Sequence, residues 1–180
     1  MYAVQSRLSP LQGRSEVTIT GAKNFTADSF LLSQQVDLGY RYFLSDRWYL
    51  GASGSYVFNS LSDAGIRQMN VSKKLPDVAY TKYRADLMVG YNLFYGKFRL
   101  SMDQVFYFDQ YIAIGPGVVA QDLGTHPAAV GDLGFAFWFG RNFSLRLGVK
   151  DYLFPEKRRL SQGLANNVLG HVDFGYVFGG

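Results

Sequence analysis

The sequence predicts an all-β protein, an eight-stranded antiparallel transmembrane up-and-down β-barrel with short periplasmic turns and long external loops. Three observations predict this fold. Apolar and polar residues alternate with a period of two in about eight blocks, the pattern of strands that have one apolar face. The connections between the blocks alternate between short and long. The chain is 17% aromatic, yet no stretch approaches the roughly 18 unbroken apolar residues of a membrane-spanning helix.

The composition limits the number of domains and excludes several kinds of site. The 180 residues suffice for one domain, which we divide into an N-terminal periplasmic tail at 1–13 and a barrel at 14–180. Without cysteine there is no disulfide and no cysteine-based metal site, and two histidines do not favour another transition-metal site. The net charge of +4 is not gathered into a basic stripe. We therefore expect no cofactor and no nucleic-acid partner.

The first four predicted strands follow the tail. We expect them near 14–21, 33–43, 48–58 and 84–93. Residues 22–32 form the first predicted loop and residues 44–47 the first tight turn. The longest connection, at 59–82, is compatible with a short helix supported by Leu61, Met69 and Leu75.

The last four predicted strands complete the barrel. We expect them near 98–108, 132–139 and 143–150, with a final strand that ends at Phe178. Tyr95-Gly96-Lys97 predicts the second tight turn and Gly140-Arg141-Asn142 the third. Gly115-Pro116-Gly117 predicts a loop over 110–131, and a basic loop precedes the final strand.

The polar faces of these strands carry six cations and six anions. A narrow lumen requires such a balance because an unpaired charge there loses its hydration, and arginine binds carboxylates through two parallel bonds. A soluble barrel with an apolar interior is the alternative, and its outer surface would need no balance. We therefore predict a lumenal polar network of Arg14, Glu16, Asp37, Arg41, Arg84, Asp86, Arg99, Asp103, Asp132, Arg146, Lys150, His171 and Asp173.

The apolar faces are expected to meet lipid. Aromatic residues concentrate beside the predicted short turns and the C-terminus, as in the aromatic girdles of membrane barrels. We predict lipid-facing and interface aromatics at Tyr42, Trp48, Tyr91, Phe98, Phe139, Phe143, Phe174, Tyr176 and Phe178. A second ring at the loop end is predicted from Tyr56, Phe58, Tyr83, Phe106, Phe108 and Tyr152.

This topology predicts the bacterial outer membrane as the location. An even number of strands brings both termini to the periplasmic side. Met1-Tyr2-Ala3-Val4 lacks the basic start and apolar core of a secretory signal, so we expect that an export signal upstream has been removed.

Two segments resemble known outer-membrane sequences. Val4-Gln5-Ser6-Arg7-Leu8, then Gly13-Arg14, the segment 37–42 and a strand led by Trp48 resemble the outer-membrane β-barrel domain family of myxobacteria and bdellovibrios. The final segment, 170–178, resembles the C-terminal strand signal read by the barrel-assembly machinery. The resemblance to porin-like relatives implies a homo-oligomeric ring that holds lipid.

Two histidine sites suggest chemistry that the sequence does not decide. His171 and Asp173 share one face of the last strand, as a proton relay, a catalytic pair or a lumenal hydrogen-bond network. His126, in the predicted loop, is the candidate base of a lipid-modifying enzyme, with Ser29, Ser60 or Ser62 as nucleophile. The chain has no His-x-Ser spacing, so we expect no enzyme and no catalytic residue.

Two surface sets suggest partners. Lys73, Lys74, Lys157, Arg158 and Arg159 lie on the predicted external side as lipopolysaccharide contacts or as solvated loop charges. Small or polar residues in the lipid-facing register suggest a contact between protomers at Ala52, Gly54, Ala85, Gln104 and Gly170.

The leading functional hypothesis is a non-enzymatic outer-membrane protein. It would be structural or lipid-organising, assemble as a homo-oligomer and have a lumen plugged by charged side chains, because eight strands leave room only for side chains. A small porin or channel, a lipid A-modifying enzyme and a soluble ligand-binding barrel remain alternatives.

Overall fold

The computed structural model is a closed barrel of eight antiparallel strands, which confirms the predicted fold class. It describes residues 7, 10–26, 30–72, 79–99, 105–157 and 162–179. The elements are β1 (Ser15–Asn24), β2 (Leu31–Phe43), β3 (Trp48–Leu61), α1 (Asp63–Ser72), β4 (Thr81–Arg99), β5 (Val105–Gln121), β6 (Gly124–Phe139), β7 (Phe143–Lys157) and β8 (Gln162–Phe178). No described helix is long and apolar enough to cross a membrane.

Each strand pairs with its neighbours in the sequence, and β8 closes the barrel on β1. We can follow the paired residues from strand to strand around the barrel, starting at Phe94 of β4. The path returns to β4 at Tyr83 and not at Phe94. This stagger means that the strands are tilted, by about 35–45° in barrels of this kind. The lumen is consequently just wide enough to be filled by side chains.

The two ends of the barrel differ. The end that we call the turn end carries the start of β1, the end of β8 and the turns at 44–47 and 140–142. The opposite end, the loop end, carries α1. The α1 helix confirms the short helix predicted within 59–82. Ser62 caps it, because the Ser62 hydroxyl accepts a hydrogen bond from the Gly65 amide at 3.2 Å. Leu75, which also supported that helix, lies outside the described residues.

The predicted loop at 110–131 is wrong. Residues 105–121 and 124–139 are strands joined by a turn at Asp122 and Leu123, and Gly124 has a φ of 141° that glycine adopts readily. Gly115-Pro116-Gly117 lies within β5. A Cβ atom at Gly117 would lie 2.9 Å from the Ala85 carbonyl oxygen, and one at Gly115 would collide with Leu87. These glycines therefore allow two strands to approach closely instead of forming a turn.

The predicted turn at Tyr95-Gly96-Lys97 is also wrong. All three residues lie within β4, which pairs with β5 as far as Arg99 and Val105. The ring of Phe108 lies over Gly96, where a Cβ atom would be 2.6 Å from the ring. The aromatic ring thus covers the glycine within the strand, an arrangement known to support strand glycines.

Alternating burial shows which face of the barrel is apolar. Leu38 and Phe174 on the outer face are 64% and 67% exposed, whereas Glu16 and Arg146 on the inner face are 0% exposed. The apolar side chains therefore point outward and the charged ones into the lumen. This inverts the pattern of a soluble barrel and agrees with the predicted orientation of both faces.

Candidate functional site

The central feature of the lumen is a chain of ion pairs that connects four strands. Arg146 of β7 donates to Glu16 of β1 at 2.8 Å, and both side chains are fully buried. Arg41 of β2 lies 3.5 Å from Glu16 and donates to Asp173 of β8 at 2.7 Å. Ser144 also donates to Glu16. These contacts satisfy buried charges that would otherwise be costly.

His171 continues this chain between two carboxylates. Its Nδ1 atom lies 2.6 Å from Asp173 and its Nε2 atom lies 3.0 Å from Asp132. Tyr111 donates to the same Asp132 oxygen at 3.3 Å. His171 is therefore anchored on both ring nitrogens, and the predicted pair with Asp173 is part of an extended network.

A second set of polar contacts lies nearer the loop end. Asp86 of β4 accepts hydrogen bonds from Tyr152 at 2.5 Å and from Ser53 at 2.7 Å, and Lys150 lies 3.4 Å from it. Arg84 donates to Gln35, whose amide donates in turn to Asp37 at 3.0 Å. Opposite charges from nonadjacent strands thus meet across the lumen.

Aromatic rings fill the space around Arg146. Its guanidinium carbon lies 5.8 Å from the ring centre of Tyr49, 5.2 Å from Tyr111 and 5.7 Å from Trp138. Within the described part of the chain, Nε and Nη1 of Arg146 have no hydrogen-bond partner. Cation–π attraction is the interaction available to that side of the guanidinium.

Sequence reasoning missed most of these aromatic residues. Tyr49 interrupts the alternation because it stands between outward-facing Trp48 and Leu50, and that break was the available signal. Tyr111 lay in the predicted loop. Tyr152 was assigned to the outer aromatic ring but is fully buried inside, so that assignment is wrong.

Two described residues that precede β1, Arg7 and Leu11, lie at the turn end of the lumen. Leu11 is buried against the inner wall, and its amide donates to the Asp46 side chain at 2.7 Å. Arg7 donates to the Asp46 carbonyl oxygen at 2.5 Å, pairs with Asp109 and lies 4.9 Å from the ring centre of Tyr95. These two residues therefore add an ion pair and an apolar side chain to the mouth of the barrel.

Three predicted members of the network need separate comment. Arg14 is not in the lumen: it lies before β1 and donates to the carbonyl oxygens of Gly179 at 3.0 Å and Arg141 at 2.7 Å. The predicted place of Arg14 in the lumen is wrong because β1 begins at Ser15, one residue after the predicted start of the first strand. Asp103 lies outside the described residues, and the side chain of Arg99 is not among those described.

The predicted interface aromatics lie on the outer face wherever they are described. Trp48 packs against Tyr91 with ring centres 4.7 Å apart, and Phe143 packs against Tyr176 at 5.4 Å. Tyr42, Phe98, Phe139 and Phe178 are also exposed. Phe174, which is paired with Ile19 and Leu145, is exposed on the outer face, four residues before the end of β8.

A shallow apolar groove on the outer face contains three of the five residues predicted to contact another protomer. Ala52, Gly54 and Ala85 line its floor with Gly117, and Leu38 and Leu87 line its sides. The groove has a volume of about 670 Å³. Gly170 lies outside this groove, under the ring of Phe25. Gln104 lies outside the described residues.

The external cations and the proposed serine–histidine pair do not form sites among the described residues. Lys73, Lys74, Arg158 and Arg159 lie outside those residues, and the side chain of Lys157 is not described. His126 is buried in β6 and not in a loop, because 124–139 is a strand. Ser62 caps α1 and Ser60 is exposed on β3, while Ser29 lies outside the described residues.

No known protein family matches the chain, and no curated protein matches it. Solved structures of membrane barrels do match. The N-terminal β-barrel domain of Pseudomonas aeruginosa OprF aligns with a TM-score of 0.59 at 15% identity, covering 93% of this chain and 98% of that one. The Pseudomonas aeruginosa outer membrane protein OprG aligns at 0.51 and 10% identity, covering 97% and 100%. A de novo designed transmembrane β-barrel aligns at 0.50 and 12% identity, covering 93% and 97%.

Proposed function

We propose that this chain is a bacterial outer-membrane protein with a structural, lipid-organising role, no enzymatic activity and a lumen that does not conduct ions. Its fold, which is that of eight-stranded outer-membrane barrels, and its apolar outer face support the location. The observation that carries the proposal is the filling of the turn end and the middle of the lumen by paired charges and aromatic rings. Buried His126, without a serine partner among the described residues, gives no support for lipid hydrolysis.

The contacts within the lumen argue against a permanent water-filled path. Leu11 and Trp138 occupy the turn end, and Arg146 with Tyr49 occupies the middle. An ion that crossed would have to separate buried pairs such as Arg146 and Glu16, in a region that offers little water to replace the lost contacts.

Planar-bilayer recording tests this proposal. We expect purified wild-type protein to give no steady conductance, because no ion can pass without displacing the side chains of the lumen. A sixteen-stranded porin, whose lumen is an aqueous channel, is the positive control for the recording. Steady conductance that scales with the amount of this protein would favour the small-channel alternative and reject the plugged lumen.

We further propose that the outer groove binds a second copy of the chain, which would make the protein a homo-oligomer. Its small floor residues allow close approach of another apolar surface, as small residues do between membrane helices. The groove combines this smooth floor with the walls formed by Leu38 and Leu87, so a neighbouring side chain can enter it. An acyl chain is the competing occupant.

Disulfide trapping distinguishes a second copy from lipid, since the chain has no cysteine of its own. Leu87→Cys, at the exposed wall of the groove, is expected to give cross-linked dimers in lipid vesicles. Adding Gly54→Leu should abolish them by filling the groove. Gly21→Leu is the matched control, because Gly54 and Gly21 both have open space where a side chain would stand.

A second position controls for random collision in the same experiment. Leu147→Cys lies exposed on β7, away from the groove, and is expected to remain monomeric. If Leu87→Cys gives no more dimer than Leu147→Cys, the groove does not hold a second copy, and an acyl chain becomes the occupant to test.

The final strand supports a proposed interaction with the barrel-assembly machinery. β8 ends at Phe178 with Tyr176 and Phe174 on the same outer face, and it closes the barrel against β1. A closing strand with outward aromatic residues is available to a receptor until closure is complete. We also propose that lipopolysaccharide phosphates contact Lys73, Lys74, Lys157, Arg158 and Arg159.

A further inference from the structure

A small polar pocket opens at the loop end of the barrel, away from the ion pairs of the lumen. It has a volume of about 200 Å³. Its polar lining consists mainly of neutral amide and hydroxyl side chains: Asn24, Thr26, Ser33, Thr81, Asn166 and Asn167. Leu31 and Ala79 contribute an apolar side. The pocket therefore combines hydrogen-bonding groups with a small apolar surface, as ligand sites commonly do.

The amides of the pocket are held in fixed orientations. The Oδ1 atom of Asn167 accepts hydrogen bonds from Asn24 at 2.5 Å and from Arg84 at 3.0 Å. Ser33 donates to Asn59 at 2.7 Å, and the Asn59 amide donates to the Thr81 carbonyl oxygen at 2.6 Å. The lining is thus oriented by its own supporting hydrogen bonds before any ligand arrives.

Several groups in this lining keep unused hydrogen-bonding capacity. Within the described ranges, the Nδ2 atom of Asn167 and the hydroxyl of Thr81 have no partner in the protein, and neither atom is completely enclosed. An amide nitrogen supplies only donors, whereas a hydroxyl both donates and accepts. A ligand must therefore offer an acceptor to Asn167, and a ligand group that both donates and accepts uses the full capacity of the Thr81 hydroxyl.

The charges next to the pocket already have partners. Arg84 donates to Gln35 and Asn167, and Glu156, the acidic residue among those that line the pocket, accepts a hydrogen bond from Gln121 at 3.2 Å. The wall therefore presents mainly neutral groups, which favours a neutral ligand over a free ion. A volume of about 200 Å³ equals that of roughly seven water molecules in the liquid, a space comparable to one sugar ring.

We infer that the loop-end pocket binds one neutral sugar unit through its amide and hydroxyl side chains. The hydroxyl groups of a sugar ring each donate and accept, which matches the mixed groups of the lining, and the C–H faces of the ring suit Leu31 and Ala79. The sugar can be a free monosaccharide or the end of a surface glycan. The inference stands independently of whether the lumen conducts.

Saturation-transfer NMR on the full chain in lipid nanodiscs tests this site. The probes are D-glucose and N-acetyl-D-glucosamine in one arm and a lipopolysaccharide core oligosaccharide in the other. We expect saturation transfer to at least one probe. The arm that responds shows whether the pocket takes a free monosaccharide or a sugar of a surface glycan. Thr81→Val removes the hydroxyl while keeping the shape and the backbone acceptor, and it should weaken binding by about fivefold to tenfold through one lost hydrogen bond.

Thr20→Val is the matched control, because Thr20 is another buried inward threonine and does not line the pocket. It should bind like the wild type. Circular dichroism and cold gel mobility establish that both variants fold. The inference is overturned if no probe receives saturation, if Thr81→Val and Thr20→Val bind equally, or if inorganic phosphate displaces the sugar as a competitor of higher affinity.

Discussion

Replacing Arg146 with methionine is expected to destabilise the barrel by about 3–5 kcal/mol, because it leaves the buried carboxylate of Glu16 without its closest cation. Arg41 is the other cation near Glu16, at 3.5 Å, and it is already engaged with Asp173. Methionine keeps much of the volume, so the loss reports the charge and not a cavity. Equilibrium unfolding in urea, with the protein in lipid vesicles, measures the change in the free energy of unfolding.

Two comparisons make this result specific. Glu16→Gln combined with Arg146→Met should cost less than the sum of the two single changes, because the double variant removes both members of the pair. Arg14→Met is the matched control at the rim, where the guanidinium bonds backbone carbonyl oxygens instead of a buried carboxylate. A loss for Arg146→Met of only about 0–1 kcal/mol, as for exposed ion pairs, would contradict a tightly coupled lumen.

The sequence allowed the faces of the strands to be predicted but not the partners across the lumen. Alternation placed Glu16, Asp132, Arg146, His171 and Asp173 on the inner face, and the structure has all five there. Their pairing depends on the stagger of the strands, which brings Glu16 of β1 within hydrogen-bonding distance of Arg146 of β7, two strands away. No local pattern encodes that stagger, because it is fixed only when the barrel closes.

Two of the wrong predictions, the turn at 95–97 and the loop at 110–131, concern glycine, which has two structural uses that look alike in a sequence. Gly96 and Gly115 were assigned to a turn and a loop because glycine commonly ends strands. Here their missing side chains make room for Phe108 and for the backbone of β4. The difference depends on what lies on the neighbouring strand, which a single sequence does not show. Tyr49 and Tyr111 were missed for the same reason, since Gly90 makes room for the first and Gly134 and Gly148 make room for the second.

The closest contact between a tyrosine and such a glycine gives the second large prediction. The ring of Tyr49 lies directly against Gly90, where even a Cβ atom would collide with it. Tyr49→Ala is expected to cost about 3–5 kcal/mol, because it empties a fully buried ring position beside Arg146. Gly90→Ala in the wild type should cost about 1–3 kcal/mol through overpacking.

The destabilising effect of Gly90→Ala should disappear or change sign when the Tyr49 ring is absent. In the Tyr49→Ala background, Gly90→Ala is expected to be neutral or stabilising, because the added methyl group partly fills the vacated space and alanine restricts the unfolded chain more than glycine. Gly54→Ala is the matched control on the outer face, where a Cβ atom meets nothing within 4 Å, so its effect should be the same in both backgrounds. Urea unfolding of the four proteins of this cycle provides the measurement. If Gly90→Ala remained equally destabilising without the ring, the glycine would be required by the backbone of β4 itself, and the lumen would owe its filling to something other than this contact.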